Sequence, residues 1–379
     1  MKRDVGNGGK LPTGCWRLIN LGLALTALFA LAACGGPPKA VPVAPLPNYV
    51  PHGTATAVSP ATSAATPVET PVPPLSGAPP RVSDQRFGIV LDALQPDAAG
   101  HALQLLHVQW FVGAATGPLD HAATQVQDVP ASLTQLATLA RRYPGRVWSL
   151  AEEPNGISAT DPEAQPAAYA ARLHAIATAL HAADPTAQLI GPDVLDWSTG
   201  CTGCGGMVTG QAWTDAMRQA YLDAYHEEVP FDVWSIHTYP LDWQHLPTVN
   251  YREMEQQLID LRRWLDSIPD LRNKPIWDTE LGVHWGYTAY QFAQEGGKTT
   301  LMPAGILRTD LVENYLRQLL TWLVEKGPAY RIERWFVFAA YNPDVPGDHA
   351  GAISLLNGPG PEARLTGFGQ IFVDVRTGE

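Results

Sequence analysis

The chain has 379 residues, with 25 Lys and Arg against 37 Asp and Glu, for a net charge of −12. A nucleic-acid partner is excluded at this level, because phosphate binding needs a basic face. Twelve Trp and twelve Tyr are ample for both a packed interior and an aromatic binding surface.

The N-terminal 33 residues read as an export signal. Lys2, Arg3, Lys10 and Arg17 precede Leu18 to Ala33, a run of sixteen residues without a charge. That run is short for a membrane-spanning helix and suits the apolar region of a signal peptide. It ends in Leu31-Ala32-Ala33-Cys34 followed by Gly35 and Gly36, which resembles a bacterial lipoprotein processing site. The resemblance implies that Cys34 becomes the lipidated first residue. The remainder would then lie outside the cytoplasm, lipid-anchored to a bacterial membrane.

Residues 34–84 read as a disordered, Pro/Ala-rich tether. Thirteen prolines fall between residues 35 and 84, where Lys39, Glu69, Arg81 and Asp84 are the charged residues. No apolar period survives such proline density, so no packed core can form. The segment would reach roughly 40 Å as a coil and about 150 Å as polyproline helix.

Residues 85–379 alternate apolar, strand-like runs with amphipathic stretches, which argues for an α/β domain with a parallel sheet. Their number suits a (β/α)8 TIM barrel. The expected strands are Phe87 to Leu91, Val108 to Val112, Val147 to Ala151, Leu189 to Val194, Val233 to Tyr239, Pro275 to Glu280 and Trp335 to Ala340. Helical spacing covers Ala131 to Arg142, Pro166 to Ala183, Trp213 to Glu228, Tyr251 to Ser267 and Asp310 to Lys326. The third unit is short: between Gly113 and Pro130 only Ala123 to Val129 is strand-like, so a degenerate third β/α unit is expected.

Two glutamates carry the functional reading. Glu153 lies in Trp148-Ser149-Leu150-Ala151-Glu152-Glu153-Pro154-Asn155-Gly156, and Glu280 in Pro275-Ile276-Trp277-Asp278-Thr279-Glu280-Leu281-Gly282. Each closes a buried strand-like run, a costly place for a carboxylate unless it has a task. A pair of carboxylates at strand ends is what glycosidic cleavage needs, one to protonate the leaving oxygen and one to attack the sugar carbon. These contexts, with Asp184-Pro185-Thr186-Ala187 and Phe231-Asp232-Val233-Trp234-Ser235-Ile236-His237 in order between them, resemble the clan A retaining glycoside hydrolases.

The resemblance implies Glu153 as acid/base after strand 4 and Glu280 as nucleophile on strand 7, with no metal and no organic cofactor. It implies that Tyr239 orients Glu280 and that His237 lines the sugar subsite, the two sharing a strand face. Glu152 stands where the clan usually has asparagine, so the contact with the sugar 2-hydroxyl changes character: an ionised carboxylate cannot donate. Asn155, Trp285 and Tyr341 are further substrate-binding candidates, with Trp243, Tyr287 and Tyr290 as possible sugar platforms. Asp278, two residues before Glu280, is expected on the same strand face.

Cys201 and Cys204 form a Cys-x-x-Cys pair in a glycine-rich loop, with no second pair to complete a zinc site. In an oxidising compartment they are expected to form a disulfide. The sequence therefore points to a monomeric, membrane-tethered glycosidase whose partner is a carbohydrate. The competing reading is a carbohydrate-binding protein on a barrel without the chemistry. A purely structural envelope protein accounts for the tether but not for the two glutamates.

Overall fold

The computed structural model describes residues 84–91, 94, 98–113, 124–150, 153–156, 162–201, 208–295, 298–342 and 352–378. The export segment, Cys34, the tether up to residue 83, Glu152 and Cys204 lie outside the described residues. Among the described residues no helix is long and apolar enough to cross a membrane.

Eight parallel strands close into a barrel. They are β1 (Phe87–Val90), β2 (Trp110–Val112), β3 (Thr124–Asp128), β4 (Val147–Ser149), β5 (Gln188–Leu195), β6 (Val233–Thr238), β7 (Ile276–Leu281) and β10 (Ile332–Val337). The third strand falls within the segment expected from sequence and pairs on both sides, Val112 with Val126 and Val126 with Val147. Helices α1 (Ala99–Leu105), α2 (Leu133–Arg142), α3 (Pro166–Ala183), α4 (Gly210–Tyr225), α5 (Tyr251–Ser267), α6 (Thr309–Lys326) and α7 (Gly367–Thr377) follow strands in turn. Among the described residues no helix lies between β2 and β3.

The barrel has two apolar layers. Val90, Val126, Val147, Ile190, Val233, Trp277 and Phe336 fill the interior. Trp234, Ile236, Ile276, Leu281 and Trp335 point outward, against the helices. Strands buried on both faces account for the near-continuous apolar runs in the sequence. At the closing seam Gly88 pairs with Phe336, and a Cβ on Gly88 would lie 2.3 Å from the Phe336 ring. Glycine therefore lets that ring fill the interior. At the opposite end, Asp184 ties the turn before β5, its carboxylate accepting the N–H groups of Thr186 (2.9 Å) and Gly145 (2.7 Å).

Helix ends carry local signals. Ser132, Thr209 and Thr366 cap α2, α4 and α7 by accepting the N–H of Gln135, Ala212 and Gly369. Pro166 occupies the first turn of α3, where its missing N–H costs nothing.

Two irregularities matter for the site. Between β5 and β6, Pro192 faces Ser235 and Val194 faces Ile236, so Asp193 is an extra residue. Between β6 and β7, Ile236 faces Asp278 and His237 faces Glu280, so Thr279 is an extra residue. Each is a β-bulge, and a bulge re-aims the side chains that follow it. An antiparallel hairpin, β8 (Tyr290–Glu295) with β9 (Lys298–Pro303), is inserted between β7 and α6. It went unread in the sequence, although Gly296-Gly297 between two six-residue runs is a hairpin signal.

Candidate active site

β4 ends at Ser149, and the chain turns through Glu153-Pro154-Asn155-Gly156. Glu153 sits at φ +45°, its N–H donating to the Asp193 carbonyl (2.9 Å) and its carbonyl accepting from Gly156 (2.8 Å). A left-handed glutamate is a local cost that the surrounding hydrogen bonds must hold in place. Asn155 faces backbone. Its amide donates to the carbonyls of Leu195 (2.8 Å) and Val208 (3.0 Å), and its Oδ1 accepts the Leu195 N–H (2.8 Å). The expected sugar ligand is thus a staple between this turn and the end of β5, because both its donors are taken by main chain.

The bulge at Thr279 turns Glu280 into the barrel mouth. There the Tyr239 hydroxyl donates to Glu280 Oε1. His237 lies between the two glutamates: Nδ1 is 3.1 Å from Glu153 Oε1 and 3.8 Å from Glu280 Oε2. The Glu153 and Glu280 side chains are 18% and 14% exposed and His237 is 7% exposed, so the carboxylates face the opening with the imidazole behind them.

The same bulge corrects one expectation. Asp278 does not share a face with Glu280. It pairs with outward-facing Ile236, and its Oδ2 accepts the Thr238 hydroxyl (2.7 Å) in the layer between barrel and helices. Strict alternation holds only until the extra residue intervenes. Asp278 is fully buried, and its Oδ1 has no hydrogen-bond partner. Burial drives its pKa well above the ordinary carboxylate range, against the Thr238 hydrogen bond and the His237 charge.

Burial alone would lower the pKa of His237. Glu280, the hydrogen bond and charge of Glu153, and Asp193 together outweigh it and raise the imidazole to about 10. The same burial, reinforced by Glu280, raises Tyr239 well above its usual value, so the phenol remains a donor to the carboxylate. Ligand atoms of Glu153, His237 and Glu280 lie within 4.8 Å of one another, near enough to hold a metal ion. Such an ion would have to displace the imidazolium proton and compete with the Tyr239 hydroxyl, so the arrangement serves an ion-paired cluster better.

An aromatic wall extends from Tyr239. His284, which the sequence reading missed, stacks on Tyr239 with ring centroids 3.8 Å apart. Burial lowers its pKa to about 4, so its ring is neutral. Trp285 is buried beside it and meets Trp243 edge-on (5.0 Å), and Trp243 meets Tyr290 (5.7 Å). The Tyr287 N–H donates to the Tyr290 hydroxyl (3.3 Å). Tyr341 is half-buried just past β10, at the same end of the barrel. Cys201 packs against the inner layer.

No family model matches the chain, and no curated protein matches it. Solved structures do. A glucosidase from Croceicoccus marinus aligns over 78% of this chain and 67% of its own, at 12% identity and a TM-score of 0.50. The chain shares its barrel fold with solved glycoside hydrolases. Others are a GH128 (subgroup I) endo-β-1,3-glucanase from Amycolatopsis mediterranei in complex with laminaritriose (13% identity, 77% and 99% covered, TM-score 0.47) and a monomeric β-xylosidase from Caulobacter crescentus CB15 (13%, 76% and 68%, 0.49). At such identities the likeness extends to the fold alone, and the chemistry must be argued from the side chains.

Proposed function

We propose that this protein is a retaining glycoside hydrolase acting on an oligo- or polysaccharide. One observation carries the reading: an oxygen of Glu153 and an oxygen of Glu280 lie within 4.8 Å at the open end of the barrel. Retaining enzymes place their carboxyl groups about 5–5.5 Å apart, whereas inverting enzymes need about 6.5–9.5 Å to admit a water. The short gap supports double displacement. Glu280 attacks the anomeric carbon as Glu153, using the proton shared with His237 Nδ1, protonates the leaving oxygen, giving a glycosyl ester on Glu280. Glu153 then takes a proton from water, whose oxygen displaces Glu280. The Tyr239 hydrogen bond steadies the attacking carboxylate, and the half-buried Trp243, backed by Trp285, offers an apolar face for a sugar ring.

The test uses aryl glycosides of several sugars. Glu280→Gln should lose nearly all turnover. Glu153→Gln should still form the intermediate from a glycoside with an activated leaving group, and added azide should restore turnover with retained anomeric configuration. Sugar binding without turnover by wild type on every substrate would leave a binding module in its place. We propose in addition that the domain is held outside the cytoplasm by lipid on Cys34 and that Cys201 pairs with Cys204. Fatty-acid labelling lost in Cys34→Ser, and thiols unreactive until reduced, are the expected results.

A further inference from the structure

Asp193 has no part in the sequence reading, yet it touches every element that carries the site. It is 2% exposed and sits at φ +53° on the β5 bulge, with its side chain turned into the barrel. Its carbonyl accepts the Glu153 N–H (2.9 Å). Its carboxylate accepts the Ser149 hydroxyl from β4 and, at 2.6 Å, the Thr279 hydroxyl from the bulge of β7. The same carboxylate lies 3.9 Å from Nε2 of His237 on β6. The two bulges are therefore joined to each other by the Thr279–Asp193 hydrogen bond.

We propose that Asp193 is a positioning residue, clamping the β5 and β7 bulges together so that Glu153, His237 and Glu280 converge. It touches no reacting atom. Its backbone sets the turn that carries Glu153. Through Thr279 it fixes the register that aims Glu280 inward, and its charge holds the far side of the imidazole. The groups facing His237 are Glu153 after β4, Asp193 on β5 and Glu280 on β7, while Asp278, on the outer side of β7, and His284 beyond β7 act on it electrostatically from farther away. With Glu153 and Glu280 on one ring nitrogen and Asp193 near the other, the imidazolium is bracketed by carboxylates. An anion removed from one side should both free the ring and weaken its hold on its proton.

Only the kinetic arm rests on the glycosidase reading. Asp193→Asn keeps the shape and an acceptor for Thr279 but removes the charge. In 15N-histidine-labelled protein, with the His237 signal assigned by its loss in His237→Gln, the imidazole should titrate about one unit or more lower in Asp193→Asn. On a glycoside that wild type cleaves, kcat should fall about 10- to 100-fold with little change in KM, as expected for misplaced groups. Thr279→Val removes the clamp and leaves the charge. It should lower kcat without moving the His237 titration, and Thr279→Ser should restore kcat. These two variants also cover the case in which Asp193→Asn does not fold. An unmoved His237 titration in folded Asp193→Asn, or wild-type kcat in Thr279→Val, overturns the proposal. A wild type inert on every glycoside sinks the glycosidase reading, while the titration still decides on Asp193.

Discussion

Replacing His237 by Gln removes the cation among three inward carboxylates, and the consequence should be written in the pH dependence of stability. The imidazole has a folded pKa of about 10 against about 6.5 when unfolded. Between those values the native state holds a proton that the unfolded chain has released. Unfolding free energy then falls as pH rises, at about 1.4 kcal/mol per unit for one proton. The contribution is fully present below pH 6.5, declines across the window and is gone above about 10. Over the whole window it amounts to on the order of 5 kcal/mol. His237→Gln has no such proton to lose, so the stability gap between wild type and variant should be widest near pH 6 and shrink towards pH 10. Urea is the suitable denaturant, since guanidinium would screen the charges being measured. Unfolding free energies at half-unit steps from pH 6 to 10.5, compared between the two proteins, remove titrations common to both. Curves that stay parallel within about 1 kcal/mol would refute the ion-paired cluster.

Tyr239→Phe deletes the donor to Glu280 and leaves the buried ring in place. A hydrogen bond to a charged group contributes about 1.5–3 kcal/mol, so kcat on a cleaved aryl glycoside should fall roughly ten- to hundredfold. Unchanged kcat would mean that the hydroxyl does not serve the nucleophile. Asp278→Asn has the opposite sign from an ordinary loss of a carboxylate. Because burial raises the folded pKa, the native state retains a proton above the usual carboxylate value, and stability declines as pH rises from there towards the folded value. The asparagine variant should therefore match or exceed wild-type melting temperature at pH 7 to 8. A loss greater than about 3 kcal/mol would show that the carboxylate has a cationic partner.

The barrel was legible because its strands are buried on both faces and its helices on one, so apolar runs and helical spacing alternate along the chain. Val233 to Thr238 and Ile276 to Leu281 lie within a residue or two of their expected limits for that reason. The ends of helices were less so. The expected start of α4 at Trp213 misses its first turn, which Thr209 caps from a loop with no apolar period. The third strand was hard to see because Val126 is its sole buried residue; its neighbours are half-buried and polar. Glu153 and Glu280 stood out through a conflict of levels, since a carboxylate ending an apolar run has no local reason to be there.

Asp278 was misplaced and Asp193 passed over for a common reason. Periodicity assigns faces on the assumption that every residue advances the alternation by one, and a bulge breaks that count for everything beyond it. With Thr279 inserted, two residues of separation no longer mean one face, so Asp278 went outward while Glu280 went inward. With Asp193 inserted, a residue that strict alternation from Ile190 would place among the helices instead reaches Ser149 and Thr279 across the interior. One of the two breaks did leave a trace. Gly191-Pro192 stands in the middle of β5, and because proline removes a ladder hydrogen bond, its presence inside a central strand points to a bulge, where that donor is not needed. No comparable mark precedes Thr279, whose β-branched side chain suits a regular strand. The β7 bulge is therefore sustained by tertiary contact, the Thr279 hydroxyl held by Asp193. The aim of Glu280 thus depends on a residue more than eighty positions earlier in the chain, a dependence that no local pattern around Glu280 could express.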